Sequence, residues 1–235
     1  MIRVGCCGFA ASHAAYYRRF PVVEIQQTFY QPPRLSTAER WRNEAPRDFE
    51  FTMKAWQLIT HEPTSPTYRR LTRPIPASTR TRYGSFRPTD EVLSAWNETR
   101  AFARALGAQV IVFQCPARFT PTSEHIRNLQ RFFKRIARGS IICCWEPRGA
   151  WEPGVIESLC RELELIHSVD PFVAQPVTRG LCYFRLHGRG GYRYRYTDAD
   201  LTQLVRWGRQ AGPTYVLFNN VAMLEDATRY LGAIR

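Results

Sequence analysis

QVIVFQCPARFTPTSEHIRNLQRFFKRIARGSIICCWEP, residues 109–147, decides the fold. Its ends, Gln109–Phe113 and Ser140–Trp145, are near-continuous apolar runs of strand length. Between them Ile126, Leu129, Phe133 and Ile136 recur at helical spacing, and Gly139 is expected to close that helix. A strand apolar on both faces belongs to a parallel sheet buried on both sides, and two such strands joined by a helix form one βαβ unit.

The same unit repeats outward in both directions. Strand-like runs fall at Ile2–Cys7, Val22–Thr28, Phe49–Ala55, Leu163–Val169, Leu181–Leu186 and Thr214–Phe218. Ser12–Arg19 fits a short helix, and Ser36 with Glu39 predicts a capping box ahead of Trp41. Thr89-Asp90 opens a helix carrying Val92, Leu93, Trp96, Ala103 and Leu106, closed by Gly107. Val155–Leu163, Asp198–Gly208 and Ala222–Ile234 supply three more helices, whereas Pro171–Gly180 is too short and Pro-broken for one. Eight strands alternating with helices in 235 residues predict a TIM (β/α)8 barrel with one degenerate βα unit. A single domain over residues 1–235 is expected, with a long basic loop at 62–89 after the third strand. An open doubly wound sheet would favour a glycine fingerprint after the first strand, and Gly5-Cys6-Cys7-Gly8 does not match G-x-G-x-x-G.

Net charge is +13, and much of it sits in two stretches free of Asp and Glu. Residues 63–89 hold Arg69, Arg70, Arg73, Arg80, Arg82 and Arg87, and residues 171–197 hold Arg179, Arg185, Arg189, Arg193 and Arg195. Such a cationic rim implies a polyanionic partner or a phosphorylated substrate. No apolar run is long enough to span a bilayer, so no membrane partner is expected. The first strand starts at the N-terminus, which makes the cytoplasm the default expectation. The seven cysteines have no metal-type spacing and read as buried small hydrophobes. Only Lys54 and Lys134 are lysines in this arginine-rich chain, so a lysine at a strand end is conspicuous; a packed or salt-bridged role is the simpler reading.

Catalytic side chains of such a barrel project from the carboxyl ends of its strands. Those ends offer Glu24, Gln27 and Tyr30; Lys54, with His61 beyond it; Gln114; Glu146-Pro147-Arg148; Asp170; Arg185 and His187; and Asn219-Asn220. Period-two alternation puts Tyr183, Arg185 and His187 on the face opposite Phe184 and Leu186. Glu146, Glu24 and His187 are therefore the acid/base candidates. Arg148, Arg185 and Lys54 are candidate phosphate ligands, supported by Gln114, Asn219, Asn220, Tyr30 and His61. The simpler reading of the same residues is a rim of ion pairs joining Glu146 to Arg148 or Arg185. No cofactor is predicted. Glu24, Glu146, Asp170 and His187 are acceptable divalent-metal ligand types, but their spacing matches no metal motif. In the loop after the seventh strand, Arg189, Tyr192, Arg193, Tyr194 and Arg195 alternate arginine with tyrosine, as a grip on single-stranded nucleic acid would.

The motifs also resemble a family. The turn Gly5–Gly8, Val23-Glu24-Ile25 with Thr28-Phe29-Tyr30, Lys54 with Ile59-Thr60-His61, Phe113-Gln114-Cys115-Pro116, Trp145-Glu146-Pro147-Arg148 with Trp151, Phe184-Arg185-Leu186-His187-Gly188 and Phe218-Asn219-Asn220 together resemble the domain of unknown function 72 (YecE-like) family over nearly the whole chain. The resemblance implies a TIM barrel similar to endonuclease IV and xylose isomerase relatives, and no settled reaction. The histidine-rich three-metal site of endonuclease IV has no counterpart in this sequence, and Cys6-Cys7 departs from the usual Thr or Ser in the first turn. Three functions are expected in descending order. The first is an enzyme acting on a phosphorylated small molecule or nucleic acid at the barrel mouth. Next come a non-catalytic nucleic-acid-binding module and then a sugar-type isomerase or hydrolase.

Overall fold

The computed structural model describes residues 1–234. Eight parallel strands close into a barrel in chain order: β1 (Ile2–Cys7), β2 (Val22–Ile25), β3 (Glu50–Lys54), β4 (Ala108–Gln114), β5 (Ile142–Glu146), β6 (Ile166–Val169), β7 (Cys182–Leu186) and β8 (Thr214–Phe218). Pairing of Ile2 with Thr214 through Cys6 with Phe218 seals the circle, so no strand edge is exposed. The helices around it are α1 (His13–Arg19), α2 (Gln27–Tyr30), α3 (Leu35–Glu44), α4 (Gln57–Thr60), α5 (Asp90–Leu106), α6 (Ser123–Arg135), α7 (Pro153–Leu163), α8 (Asp198–Gln210) and α9 (Met223–Ile234). No helix separates β6 from β7, which is the degenerate unit expected from Pro171–Gly180.

Local chemistry explains most boundaries. Thr89 caps α5 by accepting from the Val92 amide, with Asp90 and Glu91 in the positive first turn, and Gly107 ends it in the left-handed conformation at φ 69°. The expected Ser36–Glu39 capping box is absent. The extended residue before α3 is Arg34, so Ser36 already lies inside the first turn and cannot cap it. Likewise β2 stops at Ile25 rather than Thr28, because Gln26 turns helical at φ −92°, ψ −32°. The Thr28 hydroxyl there donates to the carbonyls of Ile25 and Lys54, tying α2 to the end of β3. α6 ends at Arg135, before Gly139, whose φ of +61° serves the turn into β5 instead. The stretch from Leu163 that reads as strand belongs to α7 and a left-handed turn at Glu164, so β6 is short.

Side chains alternate between an outer core against the helices and the barrel interior. Val22, Val110, Val112, Cys144, Tyr183, Tyr215 and Leu217 fill the interior as a packed cluster. At its floor Arg3 and Tyr215 both reach Glu50. All seven cysteines are buried and free, as the sequence reading expected. None of the helices is long and apolar enough to cross a membrane.

β1 and β2 approach so closely at Gly5 that a Cβ there would lie 2.1 Å from the Val22 carbonyl oxygen. Backbone cannot yield as a side chain can, so Gly5→Ala should lower the unfolding free energy by about 1–3 kcal/mol in urea titration. Gly190→Ala, with nothing within 4 Å, should stay within about 0.5 kcal/mol of wild type. Equal effects of the two would remove the packing explanation.

Candidate active site

Parity along the strands brings Cys7, Glu24, Lys54, Gln114, Glu146, Arg185 and His187 to one end of the barrel, where the strands finish. Arg185 is the hub and is fully buried. Its Nη2 and Nε donate to Glu24 at 2.8 and 3.0 Å, and Nη1 donates to Gln114 Oε1 at 2.9 Å and to Glu146 Oε2. Tyr183, one interior layer below, donates to Glu24 at 2.9 Å, and Gln26 closes the remaining side of that carboxylate. Burial alone would raise the Glu24 pKa; the charge and hydrogen bonds of Arg185, with Lys54 and Tyr183, pull it below the usual range instead.

Glu146 links this floor to the rim. Its Oε1 accepts from Arg148 at 2.6 Å from Nη2 and 2.7 Å from Nε, and lies 3.3 Å from His187 Nε2. Burial again pushes upward, but Arg185, His187 and Arg148 hold this carboxyl well below the ordinary range, so it is ionised throughout physiological pH. His187 is pulled down by burial, against the hydrogen bond to Glu146, which leaves it neutral near pH 7. Asn219 Nδ2 lies 3.1 Å from His187 Nδ1, and Asp170 accepts from the His187 backbone N–H at 2.9 Å. Burial raises the Asp170 pKa, with the amides of His187 and Phe172 opposing. Arg148 is the exposed end of the chain, its side chain 37% accessible.

Lys54 forms the other wall. It is 6% exposed, and its Nζ stands 3.9 Å above the Phe29 ring. No hydrogen bond or ion pair engages Nζ among the described residues. Burial first, and the Arg185 charge second, bring its pKa down to about 7, against the opposing pull of Glu24, Glu146 and Cys7. His61 packs edge-on against the same Phe29 ring and bonds Thr60 Oγ1 at 2.8 Å. Burial, with Lys54 and Arg148 nearby, lowers the His61 pKa to about 3.

Other residues named from the sequence lie outside this constellation. Asn220 is buried and donates to the Tyr194 carbonyl and to Asp226, both at 2.7 Å. Tyr30 uses its carbonyl to accept from Trp56 and Gln57, with Arg70 over its ring. In the arginine–tyrosine loop, Arg189 and Tyr194 bind Asp200 at 2.6 Å each, Arg195 pairs with Glu225, and the Tyr196 ring is buried. Only Arg193 and Tyr192, the latter 58% exposed, lack such ties among the described residues of the loop. In the 62–89 segment, Arg73, Arg82 and Arg87 pair with Glu98, Glu91 and Glu62. Cys7, Gln26, Thr52 and Tyr183 join the site without having been proposed for it. The Tyr183–Arg185–His187 alternation could have flagged Tyr183, whereas nothing local marks Gln26.

A family model described as "Protein of unknown function DUF72" matches residues 10–233. The chain belongs to the DUF72 family. It is 26% identical over 242 residues to the UPF0759 protein YunF of Bacillus subtilis (strain 168), covering 88% of this chain and 79% of that one. A DUF72 family protein from Enterococcus faecalis V583 superposes with a TM-score of 0.74 at 19% identity, covering 100% of this chain and 97% of its own. A xylose isomerase domain containing protein from Salmonella typhimurium LT2 does so with a TM-score of 0.59 at 13% identity, covering 98% and 95%. At these identities the structural likeness is one of fold alone.

Removing Arg185 would leave two buried carboxylates without a counter-ion. Arg185→Met should cost about 3–5 kcal/mol in chemical denaturation, unless Glu24 and Glu146 are neutralised with it. Lys54 gives a prediction of opposite sign to an ordinary ion pair. Its folded pKa of about 7 lies below that of the unfolded chain, so the unfolded state binds more protons between these values. The Lys54 contribution to stability should rise with pH from about 7 towards 10, by up to about 1.4 kcal/mol per pH unit. The difference in unfolding free energy between wild type and Lys54→Met, measured from pH 7 to 9, reads this directly. A difference that is flat in pH would show that Lys54 is not depressed.

Proposed function

We propose that this DUF72 protein is an enzyme that acts on a small phosphorylated substrate at the carboxyl-end mouth of its barrel. One observation carries this reading. Glu24 and Glu146 are neutralised by Arg185 and Arg148, and the groups standing above that floor are the exposed face of Arg148, the Lys54 amine and two imidazoles. With the carboxylates already matched, an anion arriving at the mouth meets donors without a surplus of negative charge.

The roles follow from access and protonation. Arg148 reaches solvent while Glu146 fixes its orientation, so it is the phosphate ligand. Neutral His187, whose Nε2 lies 2.6 Å from Arg148 Nη2 and 3.3 Å from Glu146 and whose Nδ1 lies 3.1 Å from Asn219, can take a proton near neutral pH when a bound anion draws Arg148 aside, and the carboxylate beside it stabilises the resulting imidazolium. Glu24, wholly buried and held by Arg185, Tyr183 and Gln26, is a positioning residue. The engagement of Arg189, Arg195, Tyr194 and Tyr196 by the protein itself favours a small substrate over a nucleic-acid strand.

Calorimetric titration tests the reading with inorganic phosphate and with pairs of small sugars differing only in a phosphate group. The phosphorylated member of each pair should bind more tightly, and Arg148→Ala should weaken it by about tenfold or more, the loss of one charge-assisted contact. Equal affinity within the pairs, or an Arg148→Ala variant that binds as wild type does, would overturn it.

A further inference from the structure

We infer that Lys54 is an imine-forming lysine, whose amine attacks the carbonyl carbon of an aldehyde or ketone phosphate held in the mouth. This rests on the phosphorylated-substrate reading and adds the substrate class and a covalent step. Four observations converge on it. Lys54 projects from the carboxyl end of β3 into the same mouth as Arg148 and His187, as its parity with the interior residue Thr52 requires. It is more than nine-tenths buried, yet its Nζ makes no hydrogen bond or ion pair among the described residues. The residue nevertheless keeps 6% of its surface exposed, so it is not wholly sealed from the mouth. Finally, the chain fills its other cationic positions in the mouth with Arg148 and Arg185 and keeps one of its two lysines here. Arginine would supply charge equally well but cannot act as a nucleophile at neutral pH.

The surroundings suit the chemistry. Burial, with the Arg185 charge adding to it, favours the neutral amine, whose pKa of about 7 leaves roughly half of it unprotonated at neutrality. Its lone pair forms the C–N bond as the carbonyl π pair moves onto oxygen. One proton passes from nitrogen to that oxygen, giving the carbinolamine. A second proton, drawn from solvent or from His187 in its imidazolium form, converts the hydroxyl to water, which departs. The product is a cationic iminium with one hydrogen on nitrogen, and Glu24 and Glu146 offset its charge. Phosphate on Arg148 orients the carbonyl towards Lys54.

Having only two lysines makes the test direct in the wild-type chain. Lys134 lies on α6 in an exposed pair with Glu162 and serves as the internal reference. The protein is incubated at pH 7 with glycolaldehyde phosphate or glycolaldehyde, each with cyanoborohydride, and mapped by peptide mass spectrometry. Hydride addition to the iminium carbon gives a secondary amine heavier by the probe's mass less one oxygen. Lys54 should be labelled at least about tenfold faster than Lys134, because an ordinary lysine is almost fully protonated at this pH. Phosphorylated probe should label Lys54 faster than glycolaldehyde, and Arg148→Ala should remove that advantage. Labelling of Lys54 no faster than Lys134 by either probe overturns the imine inference, even where calorimetry shows phosphate binding. Selective labelling of Lys54 by both probes at equal rates supports the imine step and overturns the phosphate reading instead.

Discussion

A guanidinium buried between two carboxylates is the constraint on which this mouth depends. Arg185 enters from β7, Glu24 from β2 and Glu146 from β5, so one side chain ties three separated parts of the circle together. A buried charge is tolerated only when its hydrogen-bonding capacity is met, and here Gln114, Tyr183 and Gln26 complete the set around the three ions. The same arrangement sets the protonation of the site. Two carboxylates that burial would have neutralised are kept ionised, while burial, aided by the Arg185 charge, discourages a further charge on Lys54. One placement thus fixes shape and acid–base state together.

The remaining polar residues grade outward from that centre. Glu146 passes the network to Arg148 and His187, which reach the surface, and Asp170 secures the His187 backbone where β6 and β7 join without an intervening helix. The loop after β7 is bound down by Asp200, Asp226 and Glu225 through side-chain and backbone contacts. The loop after β7 is therefore short of regular structure but not short of contacts, and the catalytic candidates rest on a fixed frame.

Much of the fold was legible because burial on both faces leaves a local signature. Runs such as Gln109–Phe113 and Thr214–Phe218 are near-continuously apolar, and the helices carry period and caps such as Thr89 and Gly107. Errors fell where neighbouring segments share composition. Thr28-Phe29-Tyr30 has strand-forming residues, yet a backbone turn at Gln26 and the Thr28 bond to Lys54 make it helical. Ser36 has the right partner at Glu39 but stands two residues past the extended position that a cap requires.

By itself, the sequence determined the barrel class, the order of its strands and the set of polar residues at their carboxyl ends, because each follows from periodicity along the chain. It could not rank those residues. Arg148, Arg185 and Lys54 look alike as cations at strand ends, and only the closed circle shows that Arg185 is locked in the floor, Arg148 is paired with Glu146 but open to solvent at the rim and Lys54 lies unpaired over Phe29. The arginine-rich segments are acid-free along the chain, yet Arg73, Arg82, Arg87, Arg189 and Arg195 are paired in space with carboxylates of Glu98, Glu91, Glu62, Asp200 and Glu225. Charge pairing and desolvation depend on distances across the fold rather than on neighbours in sequence, so tertiary structure alone decided which groups remain available for chemistry.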